Sequence, residues 1–147
     1  MRRRIKLVGF LFLGGIMFSF STQYVNTLHI TITDLRNSDG VVLLYLYNQE
    51  GSIPDREHVN YYKKTVLPIS NATATFSFKN IPSGHYAVTM IHDENSNGTI
   101  DVGFLLPKEG VGTSNFDSLS FFNRPNFEKA QFTVEKETYI EVKALYF

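Results

Sequence analysis

The chain has 147 residues, 43% of them hydrophobic, which suffices for one domain with its own core. The lack of cysteine excludes a disulfide framework, a thiolate metal site and a lipid anchor on cysteine. The formal net charge is zero, but 4 of the 14 basic residues lie within the first six positions, leaving 10 basic against 14 acidic residues. This mildly acidic balance excludes a basic surface for nucleic acid.

Residues 1–21 have the pattern of a secretory signal peptide. Basic side chains at the start precede an apolar run from Leu7 to Phe18, and small residues at the −3 and −1 positions predict cleavage after Ser21. The competing interpretation is an uncleaved anchor, but the run is shorter than the ~20 residues that a membrane span needs. We therefore expect one exported domain, residues 22–147, in the periplasm or outside a bacterial cell, without a membrane span once the signal is removed.

Alternation of apolar and polar residues predicts strands from residue 28 onward. The predicted strands are 28–33, 41–47, 63–69, 72–78, 85–92, 130–134 and 140–144. The stretch 41–47 is apolar on both faces and is therefore expected to be a central strand, whereas Pro68 places its own strand at an edge. Short turns and the lack of a long amphipathic helix favour an all-β fold, a seven-stranded antiparallel β-sandwich of immunoglobulin-like or prealbumin-like type, with one long loop at 102–126.

The apolar phase of these strands predicts which side chains face the core. The inward set is Phe76, Phe78, Tyr86, Val88, Ile140 and Val142. The long loop has no lasting period but carries several aromatic residues, namely Phe116, Phe121, Phe122 and Phe127. We expect these rings to pin the loop to the sandwich rather than to bind a sugar.

The segment from Asp93 to Asp101 carries oxygen-bearing side chains at alternate positions and a glycine, Gly98. It matches the first nine positions of an EF-hand-type calcium loop. Ca²⁺ prefers six to eight hard oxygen ligands, and alternate side chains of a curling loop converge on one point. The expected ligands are Asp93, Asn95, Asn97, the backbone carbonyl of Thr99, and Asp101.

The match ends at the twelfth position, where such loops carry a bidentate glutamate and this chain has Phe104. Glu109 is the nearest later carboxylate that can complete the ring, and Glu94 is out of phase with it. With two charged ligands the expected affinity for Ca²⁺ is weak, on the order of 10⁻⁴–10⁻³ M. A loop whose Asn and Asp side chains cap their own backbone, without an ion, is the open alternative.

The histidines suggest a second function class. His85 and His92 lie an odd number of residues apart, so a straight strand places them on opposite faces. Ser114 lacks the Gly-x-Ser-x-Gly context of a hydrolase nucleophile. A non-enzymatic module is therefore favoured, and the alternative is a small periplasmic hydrolase that uses His92 with Asp93 or Glu109.

Four motifs, in this order, carry a resemblance to a known family. They are FKNIPSGHYAV at 78–88, HDENSNGTID at 92–101, PKEGVGTSN at 107–115 and PNFEKA at 125–130. The chain resembles the exported bacterial domain-of-unknown-function family 2141, which implies a secreted or periplasmic β-sandwich without an assigned activity. The first motif is also similar to transthyretin and carboxypeptidase-regulatory sandwiches.

The end of the chain departs from the enzymes of the transthyretin group. Those enzymes end in Tyr-Arg-Gly-Ser, whereas this chain ends Ala144-Leu145-Tyr146-Phe147, so their hydrolase activity does not carry over. The expected role is a binding or structural module at the cell envelope, with an envelope protein or glycan as partner and Ca²⁺ as its cofactor.

Overall fold

The computed structural model describes residues 25–104, 106–120 and 122–147. Within that part, eight strands and one helical turn form two packed sheets. The elements are β1 (Val25–Thr33), β2 (Val41–Tyr47), β3 (Lys63–Pro68), β4 (Ala74–Pro82), β5 (Gly84–Asp93), β6 (Gly110–Thr113), α1 (Phe127–Ala130), β7 (Phe132–Val134) and β8 (Glu137–Lys143). The predicted signal peptide, residues 1–21, lies outside the described residues.

The predicted fold class, an all-β sandwich, is confirmed. One sheet has the order β4-β1-β8, and the other has the order β3-β2-β5-β6, with β7 pairing to β5 as its fifth strand. The first and last strands, β1 and β8, run parallel, whereas the expectation was antiparallel pairing throughout. The other strand pairs in both sheets are antiparallel.

Two predictions about strand position are also confirmed. β2 lies between β3 and β5 with both faces buried from Val42 onward, which explains why its sequence is apolar throughout. β3 is an edge strand, and Pro68, which has no backbone N–H to donate to a neighbouring strand, is its last residue. β6 is the strand that the sequence did not predict.

The main core lies between the two sheets. Alternate residues of β1, β2 and β5 supply most of it, including Leu28, Leu44 and Val88. In the predicted inward set, Phe78, Tyr86, Val88 and Val142 are buried, and Phe76 and Ile140 are partly buried and packed against that core. The predicted register of these strands is therefore correct.

A second apolar layer covers the outer face of the five-stranded sheet. Loop residues and α1 pack there on Leu43, Tyr45 and Tyr47 of β2. Phe116 and Phe127 are buried in this layer, as expected of rings that pin the loop. Phe122 is instead 93% exposed, and Phe121 lies outside the described residues.

Candidate functional site

The candidate ion loop leaves the end of β5 at one end of the sandwich. Asp93 is the last residue of β5 and is buried, whereas Asn95, Asn97 and Thr99 are exposed. The preceding turn between β1 and β2 packs against its base, so closely that a Cβ on Gly40 would overlap the Asp93 carbonyl oxygen. The base of the loop is thus fixed by the sandwich, while its tip faces water.

The carboxylate of Asp93 holds the loop in its curl. Its Oδ1 accepts a hydrogen bond from the backbone N–H of Asn97 at 3.0 Å, and its Oδ2 accepts one from Gly98 at 2.7 Å. Gly98 has φ +81°, a left-handed conformation in which glycine carries no steric penalty. This aspartate therefore performs the capping role that the alternative interpretation of the loop requires.

The remaining predicted side-chain ligands come together around Asp101. Asn95 Nδ2 donates to Asp101 Oδ2 at 2.7 Å, and Asn97 Nδ2 donates to Asp101 Oδ1 at 3.1 Å. The hydroxyl of Thr99 donates to Asn97 Oδ1 at 2.9 Å. Asn95, Asn97 and Asp101 therefore come together, whereas the carboxylate of Asp93 accepts backbone N–H groups instead.

Glu109 closes the loop from behind. It is 3% exposed, and its two carboxylate oxygens accept backbone N–H groups of Glu94 at 3.1 Å and Asp101 at 2.9 Å. It lies beside the loop, as expected of the nearest later carboxylate, but both oxygens bind the backbone at the two ends of the ring. Phe104, which stands in the twelfth position, is 99% exposed.

Glu94 points away from the ring, as its phase predicts. Arg36 donates to it from Nε at 2.9 Å and again from Nη2, and Asn37 donates to the same carboxylate at 2.7 Å. The hydrogen bond from Arg36 lowers the pKa of Glu94 below its usual value, and the bond from Asn37 acts in the same direction. The Arg36 pKa is raised by the same contact.

His92 lies under the loop in a buried polar network that the sequence did not reveal. Its Nε2 is 2.9 Å from the Asp39 carbonyl oxygen, so this nitrogen carries the proton, and in the neutral ring Nδ1 accepts from the Tyr146 hydroxyl at 2.6 Å. The hydroxyl oxygen of Tyr146 in turn accepts the Arg36 backbone N–H at 3.1 Å. Burial raises the pKa of Tyr146. The contact between Tyr146 and His92 joins the last residues of the sequence to β5, and no local sequence pattern predicts it.

This network bears on the hydrolase alternative. His92 is 0% exposed and both its nitrogens have partners, while the Asp93 and Glu109 carboxylates bind backbone N–H groups. His85 is exposed at the opposite end of β5, on the other face as predicted. The geometry therefore gives no support to an acid–base pair of His92 with either carboxylate.

The described residues contain no group of three or more His, Asp or Glu side chains that could hold a metal ion. An ion in this loop would thus depend on the two carboxylates of Asp93 and Asp101 together with amide and carbonyl oxygens. Such a set of neutral and hard oxygen donors suits Ca²⁺ rather than a transition metal.

Comparisons with known proteins give one match. The model of a family described as an uncharacterised protein conserved in bacteria, DUF2141, matches residues 30–141. No curated protein and no solved structure matches the chain. The matched range includes at least part of every strand from β1 to β8 and the whole of the candidate loop. No helix among the described residues is long and apolar enough to cross a membrane.

Proposed function

Since the chain belongs to DUF2141, a bacterial family without an assigned activity, we propose a function from the site itself. The protein is a non-enzymatic module of the bacterial cell envelope that holds Ca²⁺ weakly in the loop 93–101 and binds or braces an envelope protein or glycan. Asp93, Asn95, Asn97 and Asp101 are the side-chain ligands, and Thr99 supplies its carbonyl oxygen.

The observation that carries this proposal is the convergence on Asp101. Its two carboxylate oxygens accept from the amides of Asn95 and Asn97. The oxygen and nitrogen of such an amide are nearly interchangeable in position, and a half-turn about its bond exchanges them. Asn95 Oδ1 and Asn97 Oδ1 now accept the backbone N–H groups of Asn97 and Thr99, so rotation of both amides would give up these two bonds. In return it would surround one point with two amide oxygens and a carboxylate, the donors that Ca²⁺ prefers.

The supports of the loop favour binding without a large change of its backbone. Asp93 and Glu109 already hold the loop backbone through four N–H groups. A binding site that is formed before the ion arrives loses less conformational entropy on binding. Two charged ligands keep the expected Kd on the order of 10⁻⁴–10⁻³ M, a range found in extracellular modules.

Melting of the purified protein in Ca²⁺, in Mg²⁺ and in chelator tests the site. At ten to a hundred times Kd, binding to the folded state alone adds about 1.4–2.7 kcal/mol. For a domain of this size we expect a rise in Tm of several degrees with millimolar Ca²⁺. The rise should be smaller with Mg²⁺, which gives up its hydration water reluctantly.

Two matched variants locate the response. Asp101→Asn removes a charged ligand whose side-chain oxygens, among the described residues, accept only the two amides, and it should abolish the rise. Glu94→Gln changes the neighbouring carboxylate that lies outside the ring, and it should keep the rise. Asp93→Ala is a poor choice because it also removes two backbone hydrogen bonds. Identical melting of the wild type in Ca²⁺ and in chelator would reduce the loop to a capped turn.

Export is tested separately. β1 begins at Val25, so cleavage after Ser21 would leave every described strand intact. We expect the intact mass of protein from the envelope fraction to correspond to a chain that starts at Thr22. Recovery of the chain with residues 1–21 in a membrane pellet would contradict the cleavage.

A further inference from the structure

A cavity of about 180 Å³ lies on the outer face of the five-stranded sheet, and its lining reaches Ile100, which precedes the proposed Ca²⁺ ligand Asp101 in the chain. Its floor comes from neighbouring strands, with Tyr47 from β2, Thr89 from β5 and Thr113 from β6. One wall is the loop after β2, and the other is formed by Leu119 and Pro125 of the long loop. The proposed Ca²⁺ ligands themselves are not part of the lining.

The polar groups at one side of the cavity are mainly acceptors. Asp55 accepts from the backbone N–H of Asn60 at 2.8 Å and from Asn60 Nδ2 at 3.3 Å, and its Oδ2 lies 3.4 Å from the hydroxyl of Tyr47. The latter distance exceeds the usual 2.5–3.0 Å for such bonds, so the pair is loosely held and can accept a donor from a ligand. No lysine or arginine among the described residues forms an ion pair with Asp55. Lys64 acts electrostatically on the neighbouring His58, but the Asp55 carboxylate itself has no direct cation partner in this part of the structure.

His58 adds to this acceptor character. Burial lowers the pKa of His58, so the ring is neutral at pH 7. A neutral imidazole that donates one N–H keeps an acceptor on its other nitrogen. His58 and Tyr47 both line the cavity, and aromatic rings attract cations.

The rest of the lining is apolar and fits a single ring. The apolar lining includes Ile53, Ile91 and Leu119. A buried apolar cavity of about 150 Å³ accommodates benzene, so a volume near 180 Å³ suits one six-membered ring with a short substituent. Leu119 and Pro125 also line an adjoining apolar groove of about 720 Å³, which offers room for a longer apolar tail.

We propose that this cavity binds a small organic ammonium ion with a one-ring apolar body. Its nitrogen donates to Asp55 and to the Tyr47 hydroxyl, and its ring lies between Ile53 or Ile91 and Leu119. The carboxylate without a cation partner selects for positive charge, and the apolar walls select for the ring. A neutral ring would keep only the second interaction, and an anion would be repelled.

Three probes of similar shape separate the contribution of the charge from that of the ring. They are 2-phenylethylamine, 2-phenylethanol and phenylacetate. We expect 2-phenylethylamine at pH 7 to shift the backbone amide resonances of Thr89, Thr113 and Asp55 in a ¹H–¹⁵N titration. It should bind ~10-fold or more tightly than the alcohol, as a hydrogen bond to a charged group predicts. Phenylacetate should bind most weakly.

Asp55→Asn, with Asp117→Asn as control, tests the role of the charge. The amide side chain introduced by the first change would keep an oxygen for the Asn60 N–H, so the loop should stay folded, while the advantage of the amine over the alcohol disappears. Asp117 is an exposed carboxylate paired with Lys143, and its change should leave that advantage intact. Equal affinities for amine and alcohol in the wild type, or shifts that map elsewhere, would overturn the proposal without any variant.

Discussion

The two faces of the five-stranded sheet are both apolar, but they are covered in different ways. On the inner face, Val42, Leu44 and Leu46 pack against regular strands of the other sheet. On the outer face, Leu43, Tyr45 and Tyr47 are covered by loop residues and α1. The inner core thus repeats every second residue along the chain, whereas the outer layer is assembled from contacts between distant loops.

This difference decides where chemistry can occur. Strand-on-strand packing fills the inner space with side chains in matching register and leaves little room for a ligand. Loops pack less uniformly, and the cavity at Tyr47 and Asp55 lies in the loop-covered layer. The candidate ion site likewise lies in a loop, at one end of the sandwich. The function that we propose depends on loop residues, and the strands hold those loops in place.

The largest expected effect comes from the inner core. Phe78→Ala removes a 5% exposed ring that packs edge-to-face on Phe76 and should lower the free energy of unfolding by ~3–5 kcal/mol. Phe116→Ala, in the outer layer, should cost about 1–2 kcal/mol less because loops can collapse into the space. Urea denaturation measures both changes.

The exposed Thr75, on the opposite phase of β4, provides the control. Thr75→Ala should change the free energy of unfolding by no more than ~0.5 kcal/mol. A loss at Thr75 equal to that at Phe78 would mean that the register of β4 is shifted by one residue. A loss at Phe116 equal to that at Phe78 would mean that the two layers are equally rigid.

The inner core is the part that the sequence predicts well. A continuous apolar run predicted β2 at its observed bounds, and period-two alternation assigned Tyr86 and Val88 to the inward face because a half-buried strand buries alternate residues. The parallel pairing of β1 with β8 escaped prediction, since alternation says which face is buried but not which strand lies alongside. β6 also escaped, because two of its four residues are glycine and give no strand signal.

Only those parts of the candidate site that lie close together in the sequence could be predicted. The convergence of Asn95, Asn97 and Asp101 follows from side chains at alternate positions of one short loop. The network of His92 with Tyr146 joins residues 54 positions apart, and the Tyr47–Asp55 cavity needs a loop folded back on its strand. Such contacts are set by the tertiary fold and have no periodic sequence pattern.

The intermediate effect comes from that buried network. Tyr146→Phe keeps the ring but removes the hydroxyl that joins His92 to the Arg36 backbone. His92 Nδ1 then loses its donor and the Arg36 N–H loses its acceptor, which should cost ~1–3 kcal/mol of unfolding free energy. Urea denaturation gives this value, and Tyr139→Phe, at a 70% exposed ring, is the matched control. Equal effects of the two variants would show that the network adds nothing to stability.

The smallest expected effect concerns pH and Glu94. The hydrogen bond from Arg36 lowers the folded-state pKa of Glu94 below the ordinary value of 4.5. A depressed carboxyl pKa contributes stability that is fully present above the unfolded-state value and is lost as the pH falls through the lower folded-state value. Wild type should therefore exceed Glu94→Gln in unfolding free energy at pH 6, and the two should converge on acidification below pH 4.5.

The Arg36–Glu94 pair should contribute less to the free energy of unfolding than the Tyr146 hydroxyl does. The side chain of Arg36 is 49% exposed, so water screens its attraction to Glu94. Chemical denaturation in chelator, at several pH values, separates the pair from any bound ion. Because Glu94 lies outside the ring, the variant should keep the calcium-dependent rise in Tm while it loses the pH-dependent difference. A variant that loses both together would place Glu94 among the ligands and contradict the assignment of alternate side chains to the ion.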